Sequence, residues 1–274
     1  MKEYTNNPQH INTSKKVYEI IINIYGGLKL KKTQIIFNSM IFFHKYYLYY
    51  LINNNSIIDV NNKDFSLLCI SCFLLGTKSS DILMRIDDIL DSIYKNKILI
   101  IDKNSIEHQK KKIFYYEFEI LQLIKFDIKS YDLTYKYFSF IFEQINNIFK
   151  IKTEESEIKK IKEFLMAQIR YSFVIPLFLK FNTLTIVLSG INILLKKFLI
   201  NLEIEQIKHI IKEYEVTQED IDNCCYLIEF FLMPKKSKIN NDNKLINMDV
   251  IKNINLANSD SIKTFPSDIY NENK

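Results

Sequence analysis

The sequence predicts an all-α fold, and three observations carry that prediction. Four glycines (Gly26, Gly27, Gly76, Gly190) and four prolines (Pro8, Pro176, Pro234, Pro266) are the only strong breakers in 274 residues, and no proline falls between residues 9 and 175. Between the breakers, apolar residues recur with helical period over long stretches. Ile and Tyr, both abundant here, are mediocre helix formers, so these helices must depend on packing rather than on propensity.

Taken in order, the periodic segments are Ser14–Tyr25, Thr33–Leu51, Lys63–Thr77, Ser80–Lys95 and Ser105–Ile124, followed by Tyr131–Phe149, Glu154–Ile175, Thr183–Leu199, Glu203–Tyr214 and Gln218–Leu232. Residues 1–15 are polar, lack the apolar centre of a signal peptide and read as a disordered N-terminus. The Asn-rich stretch 52–63 between the second and third segments reads as an inserted surface loop. Thr217-Gln-Glu-Asp220 forms a capping box, in which the Thr hydroxyl accepts an N–H of the first helical turn. From Pro234 to Lys274 the polar chain reads as a disordered tail whose Lys cluster is solvated charge.

The segments divide into two groups of five that meet near Phe126-Asp127. The third of each group sets small residues within an apolar stretch: Ser66 to Gly76 (SLLCISCFLLG) and Thr183 to Leu195 (TLTIVLSGINILL). A helix enclosed by others must be apolar nearly all round, and small side chains let its neighbours approach. The recurrence at the same ordinal place suggests a structural repeat.

Composition narrows the function classes. Hydrophobic residues make up 47% and charged residues 25%, a globular balance that allows a sizeable core. The heavy use of Ile, Asn, Lys, Tyr and Phe without Trp resembles the codon bias of an AT-rich genome. Net charge is +5, but the 37 Lys and Arg alternate with 32 Asp and Glu rather than forming a basic stripe, so no direct nucleic-acid role is expected. The apolar run 35–52 carries His44 and Lys45 near its middle, and 181–195 is too short to span a bilayer, so both read as core helices and no membrane partner is expected.

Chemistry-bearing motifs are absent. Cys69-x-x-Cys72 has zinc-ligand spacing, but Cys224 and Cys225 are adjacent and cannot supply the matching pair, so no metal site is expected. Neither Gly26-Gly27 nor Gly76 stands directly before a Lys-Ser/Thr pair, which excludes a phosphate-binding loop of that type, and no Gly-x-Ser-x-Gly elbow occurs. His44, beside aromatic residues, has no second His or carboxylate at supporting spacing and reads as a hydrogen-bonded, partly buried structural residue. No catalytic residue and no cofactor are expected.

Four stretches in the first group resemble the cyclins, specifically the transcription-associated K, L and T types. Phe42-Phe43-His44-Lys45-Tyr46-Tyr47 resembles the aromatic-His-Arg-aromatic-aromatic run of their second helix. Cys72-Phe-Leu-Leu-Gly-Thr-Lys78 resembles the end of the third, and from that Lys a spacing that needs no gap against the family leads to Arg85-Ile86-Asp87-Asp88-Ile89, similar to the fourth. Glu117 to Ile128 resembles the fifth, with Glu nine residues before the Phe126-Asp127 pair. In the second half Ser172, Phe178 to Phe181 and Thr217 to Leu227 match more faintly.

The resemblance covers roughly residues 16 to 232. It implies two tandem five-helix cyclin-box repeats, 16–128 and 129–233, the first binding a cyclin-dependent kinase in a heterodimer. It implies a non-catalytic activator acting in transcription or RNA processing, in the nucleus and secondarily the cytoplasm. The alternatives are a cell-cycle cyclin, or a factor-IIB-like cyclin-fold transcription factor. Carried over residue by residue, the signature polar pair of the kinase-binding face falls on Lys78 and Glu117, with Ser79, Asp81, Arg85 and Phe118 around it. Phe126 and Asp127, like His44, take structural roles. The chain departs from the pattern after Lys78, where relatives place an apolar residue and two acidic ones and this chain has Ser79, Ser80 and Asp81. Leu83 replaces a proline at the start of the fourth helix.

Overall fold

The computed structural model describes residues 8–54, 58–99, 105–128, 137–143, 155–197 and 216–232. Among them the regular structure is helical throughout and no strand occurs. The helices are α1 (Pro8–Gly27), α2 (Gln34–Asn54), α3 (Lys63–Ser79), α4 (Ile86–Lys95), α5 (Ile106–Leu123), α6 (Glu155–Ser172), α7 (Thr183–Lys197) and α8 (Gln218–Leu232), with a 3-10 turn at Leu177–Leu179 and helical residues 137–143. The predicted helix 203–214, most of 131–149 and the tail 234–274 lie outside the described residues.

The chain forms two compact units: Met1–Tyr135 with Arg170–Lys180, and Lys136–Ile169 with Phe181–Lys274. In the first, α3 packs against α2, α5 and α1, while α4 lies on α1. Both α2 and α3 are apolar nearly all round, and the run from Gln34 to His44 and that from Leu67 to Thr77 are wholly buried. The small polar residues in these runs are satisfied locally. Ser39 Oγ donates to the Ile35 carbonyl at 2.6 Å, and Thr77 Oγ1 to the Leu74 carbonyl at 2.7 Å. A hydroxyl that bonds back onto its own helix adds no unsatisfied group to the core.

Gly76 sets how closely α2 and α3 approach. A Cβ there would meet the Ile35 carbonyl oxygen at 2.7 Å and press still harder on the Ser39 hydroxyl. The first obstacle is backbone and cannot swing aside, so only glycine permits this spacing. Large side chains then close the surrounding space, with Phe37, Phe42, Phe43, Phe73 and Met40 fully buried.

Four helices of this unit end in one way. After α1, α3, α4 and α5 the chain turns through a left-handed residue, Lys29 (φ 53°), Asp81 (φ 55°), Lys97 (φ 52°) and Lys125 (φ 54°). The pairs Lys29 N–H to Gly26 O and Leu30 N–H to Tyr25 O close the first of these turns. Asp81 to Lys78 with Ile82 to Thr77, Lys97 to Tyr94 with Ile98 to Ile93, and Lys125 to Gln122 with Phe126 to Leu121 repeat the pattern. This is the Schellman arrangement, which satisfies carbonyls that a helix end would leave orphaned. Glycine is usual at the left-handed position; here lysine holds three of the four, and its charge suits the negative end of a helix dipole.

Two helix starts differ from the sequence-based expectation. The N-terminal segment is helical from Pro8 rather than from Ser14, because His10, Ile11, Thr13 and Ser14 are all buried and pay for ordering the extra turns. His10 packs its ring against Tyr47 (centroids 4.6 Å apart) and His44 (5.4 Å), a contact invisible in a polar string. In contrast, α4 begins at Ile86 instead of Ser80, since the left-handed Asp81 breaks the chain direction, residues 82–85 have no regular structure and Arg85 is extended.

In the second unit α7 packs against α8. The run from Leu184 to Ile191 is buried without interruption, as expected of an enclosed helix. Asn182 caps α7, its Oδ1 accepting the Thr185 N–H at 2.7 Å. Thr217 caps α8, accepting the Asp220 N–H at 3.0 Å while its own hydroxyl donates to Asp220 Oδ2 at 2.7 Å. Ser189 Oγ donates to the Ile221 carbonyl across the α7–α8 contact at 3.2 Å. No described helix is long and apolar enough to cross a membrane.

These spacings separate two glycines of α1 and α3. Gly76→Ala is expected to destabilise the protein by about 1–3 kcal/mol through overpacking against a backbone carbonyl. Gly26→Ala has nothing within 4 Å of its new Cβ and is expected to stabilise by roughly 0.5–1 kcal/mol, the gain in helix propensity. Urea unfolding of the two variants measures both.

Candidate functional site

The third and fifth helices meet at two levels. At the first, Ser71 Oγ of α3 lies between the Leu67 carbonyl of its own helix (2.9 Å) and the Ile113 carbonyl of α5 (2.8 Å). At the second, two turns along α3 and one turn along α5, Lys78 Nζ reaches Glu117 Oε1 at 2.5 Å. The two residues fall together because seven residues on α3 and four on α5 each return to the same helix face.

The pair is asymmetric. The Glu117 side chain is only 7% exposed, whereas that of Lys78 is 40% exposed. A carboxylate this deep needs a bonded cation, and Lys78 in the last turn of α3 provides it where the helix dipole also favours positive charge. The Arg85–Asp88 pair is of a different kind: at 3.1 Å, its side chains are 80% and 48% exposed. Such surface pairs contribute little.

An apolar surface adjoins the pair on α5. Phe114 (46% exposed) and Phe118 (51%) are four residues apart and share one exposed face of α5, and Phe114 precedes Glu117 by three residues. Phe126, 58% exposed at the left-handed φ of 60°, sets its ring edge-on to Phe118 with centroids 6.2 Å apart. Leu83, in the loop before α4, is 96% exposed. Large apolar side chains clustered at a surface mark an interaction face more often than scattered ones do.

The remaining expected site residues divide. Asp81 is exposed and forms the left-handed stop of α3, and Arg85 is the exposed residue preceding α4, paired to Asp88 through Nε and Nη2. Ser79 is turned inward, 4% exposed, and accepts a hydrogen bond from the Asn38 amide at 2.8 Å. Asp127 is exposed, with its N–H on the Ile124 carbonyl at 3.0 Å. The sequence reading omitted Phe114, because an aromatic residue inside a helical period reads as core until the face it occupies is known.

His44 is fully buried, deeper than its sequence context indicates. Its Nε2 donates to the Phe173 carbonyl at 3.0 Å, and the ring lies against those of Phe43, Phe178 and His10. Burial pulls its pKa down to about 4, opposed by the bond to Phe173, and pulls that of His10 down to about 2, with the neighbouring His44 adding to the effect.

The described residues hold no group of three His, Cys, Asp or Glu side chains that could bind a metal ion. Cys69 and Cys72 are enclosed in α3, and burial drives both thiols well above their ordinary pKa, away from nucleophilic thiolate. Tyr46 and Tyr115 both donate to the Glu119 carboxylate, at 3.1 and 2.7 Å, which engages that group structurally. A cavity of about 820 Å³ opens among α1 and the N-terminal ends of α3 and α5, and its charged lining includes the Lys112–Asp64 pair at 2.7 Å.

Set against known proteins, the chain matches no family model and no curated protein.

Lys78→Met is expected to cost about 1–3 kcal/mol, the lower part of the range for breaking a buried pair because the lysine is half-exposed. Adding Glu117→Leu should recover at least half of that loss, which a double-mutant cycle of unfolding free energies detects. For His44, the folded pKa lies below the unfolded value of about 6.5, so the unfolded state binds more protons and stability falls as pH drops from 6.5 toward 4. Between pH 7 and pH 5 this amounts to about 2 kcal/mol, and His44→Gln should remove that share of the pH dependence of the urea midpoint.

Proposed function

We propose that the chain is a cyclin: a non-catalytic helical subunit that binds and activates a cyclin-dependent serine/threonine kinase in a heterodimer. The observation that carries this reading is the Lys78–Glu117 bond. The two positions assigned by resemblance to the kinase-binding face lie 39 residues apart on different helices, yet their side chains meet at 2.5 Å on the α3–α5 surface. Phe114, Phe118 and Phe126 supply exposed apolar area beside them.

In this reading the helices belong to two tandem cyclin-box repeats, and α3 to α5 of the first dock on the kinase's mobile αC helix. Docking favours the inward position of that helix, in which the kinase's own Lys–Glu pair forms. The cyclin adds no reacting group. It acts by binding one kinase conformation better than the other, so the equilibrium shifts by its differential affinity. Lys78, held in place by the buried Glu117, offers a charged donor for the partner's backbone, while the phenylalanines provide apolar anchors of the sort that dominate interface energetics. The resemblance to the K, L and T types favours a nuclear role in transcription or RNA processing, with the RNA polymerase II C-terminal tail as the kinase's substrate.

The test is affinity capture of the tagged full chain from its native cells, followed by phosphate transfer from labelled ATP to an RNA polymerase II tail peptide. A kinase should be recovered with the wild-type chain, and Lys78→Ala with Glu117→Ala should lower the bound activity at least tenfold while far-ultraviolet circular dichroism stays unchanged. Recovery of undiminished activity with the double variant overturns the site; absence of any kinase overturns the cyclin reading.

A further inference from the structure

The end of α3 is held from the side by α2 through buried polar groups. Asn38 sits in the apolar run of α2, 0% exposed, between Phe37 and Ser39, which are also 0% exposed. An amide in such a place costs free energy unless it is hydrogen-bonded. Its Nδ2 donates to Ser79 Oγ at 2.8 Å and to Ser80 Oγ at 3.2 Å, and both serines are themselves buried, at 4% and 0%. From just before α2, Lys32 Nζ donates to the Ser80 carbonyl at 2.6 Å.

These bonds act on the turn that fixes Lys78. The Ser80 N–H donates to the Thr77 and Lys78 carbonyls, the Asp81 N–H to Lys78 O at 3.1 Å, and the Ile82 N–H to Thr77 O at 2.9 Å. The backbone of Lys78 is therefore bonded to a turn whose two serines are gripped by α2. Helix ends fray when their last carbonyls lack partners, and a lysine carried by a fraying turn would leave the Glu117 carboxylate. Nothing in the side chain of Lys78 prevents this, since its stem is long and flexible.

We propose that Asn38, assisted by Lys32, is a positioning residue for the Lys78–Glu117 pair: it pins the final turn of α3 and so sets where the lysine stands on the partner-facing surface. The consequence for kinase binding rests on the cyclin reading above; the effect on Lys78 itself does not. Asn38 is wholly buried and acts on the pair through Ser79, Ser80 and the turn they belong to.

The experiment uses the full chain with its lysines reductively methylated with ¹³C, so that the Lys78 dimethylamino resonance, assigned by its loss in Lys78→Arg, reports the environment of the pair directly. Asn38→Leu keeps the branching and the number of side-chain heavy atoms, though with larger methyl groups, and removes the donors. Ile191→Ala, a buried change in the other unit, serves as a control for general destabilisation. In Asn38→Leu the Lys78 resonance should move into the envelope of the exposed lysines and the captured kinase activity should fall at least tenfold; Ile191→Ala should change neither. An unmoved Lys78 resonance in Asn38→Leu overturns the inference whatever the kinase does. If the wild-type chain captures no kinase, the cyclin reading fails while the resonance still decides the role of Asn38. Should Asn38→Leu not fold, Ser79→Ala and Lys32→Met each remove one bond of the clamp, and each should shift the Lys78 resonance part of the way; no shift in either overturns the proposal.

Discussion

The arrangement of the first unit depends on the contact of α2 with α3 at Gly76, where one helix comes within van der Waals distance of the other's backbone carbonyl. At that separation ordinary side chains cannot stand between the helices, so the crossing is occupied by Ser39, Asn38 and the serines that close α3. Polar groups in so confined a place must find partners, and the partners available are those that fix the end of α3. Helix spacing, polar satisfaction and the location of Lys78 are thus one constraint seen at three points.

The Lys78–Glu117 pair belongs to a class of interaction that does little for net stability. Removing a carboxylate from water costs about as much as the lysine returns, whereas losing either partner leaves an uncompensated charge. Such a pair is most useful for definition: it tells α3 and α5 in what register to meet and presents a charged group at a fixed place beside exposed phenylalanines. That contrasts with the Arg85–Asp88 pair, both of whose side chains stand in solvent and whose bond contributes little.

Most of the helical character was legible in the sequence, because long periodic segments with few breakers leave little alternative. The limits of α5 and α8 follow from the pattern almost residue for residue, α8 because Thr217 and Asp220 announce its start. Helix ends without sequence punctuation were not legible. A lone aspartate without glycine or proline beside it does not mark a left-handed stop, so the break at Asp81 that delays α4 to Ile86 could not be read, and neither could burial of the polar string His10 to Ser14. At the site, Lys78 and Glu117 were singled out by family resemblance, and no periodicity argument would have paired them. Asn38 was missed because an Asn within an apolar run has the same appearance whether it bonds to its own helix or to a neighbour. Ser79 was placed with the contact residues since it follows Lys78, yet a step of one residue on a helix turns the side chain about 100° and carries it into the interior.

The lysines that end α1, α4 and α5 hold a reserve of thermal robustness. A side-chain-bearing residue in the left-handed region carries about 1 kcal/mol of conformational cost that glycine does not, and Lys29 and Lys97 are exposed, with no bearing on how the interior packs. The protein therefore sits short of the heat resistance its own architecture permits, and single-residue steps toward it lie open on the surface without any alteration of the core.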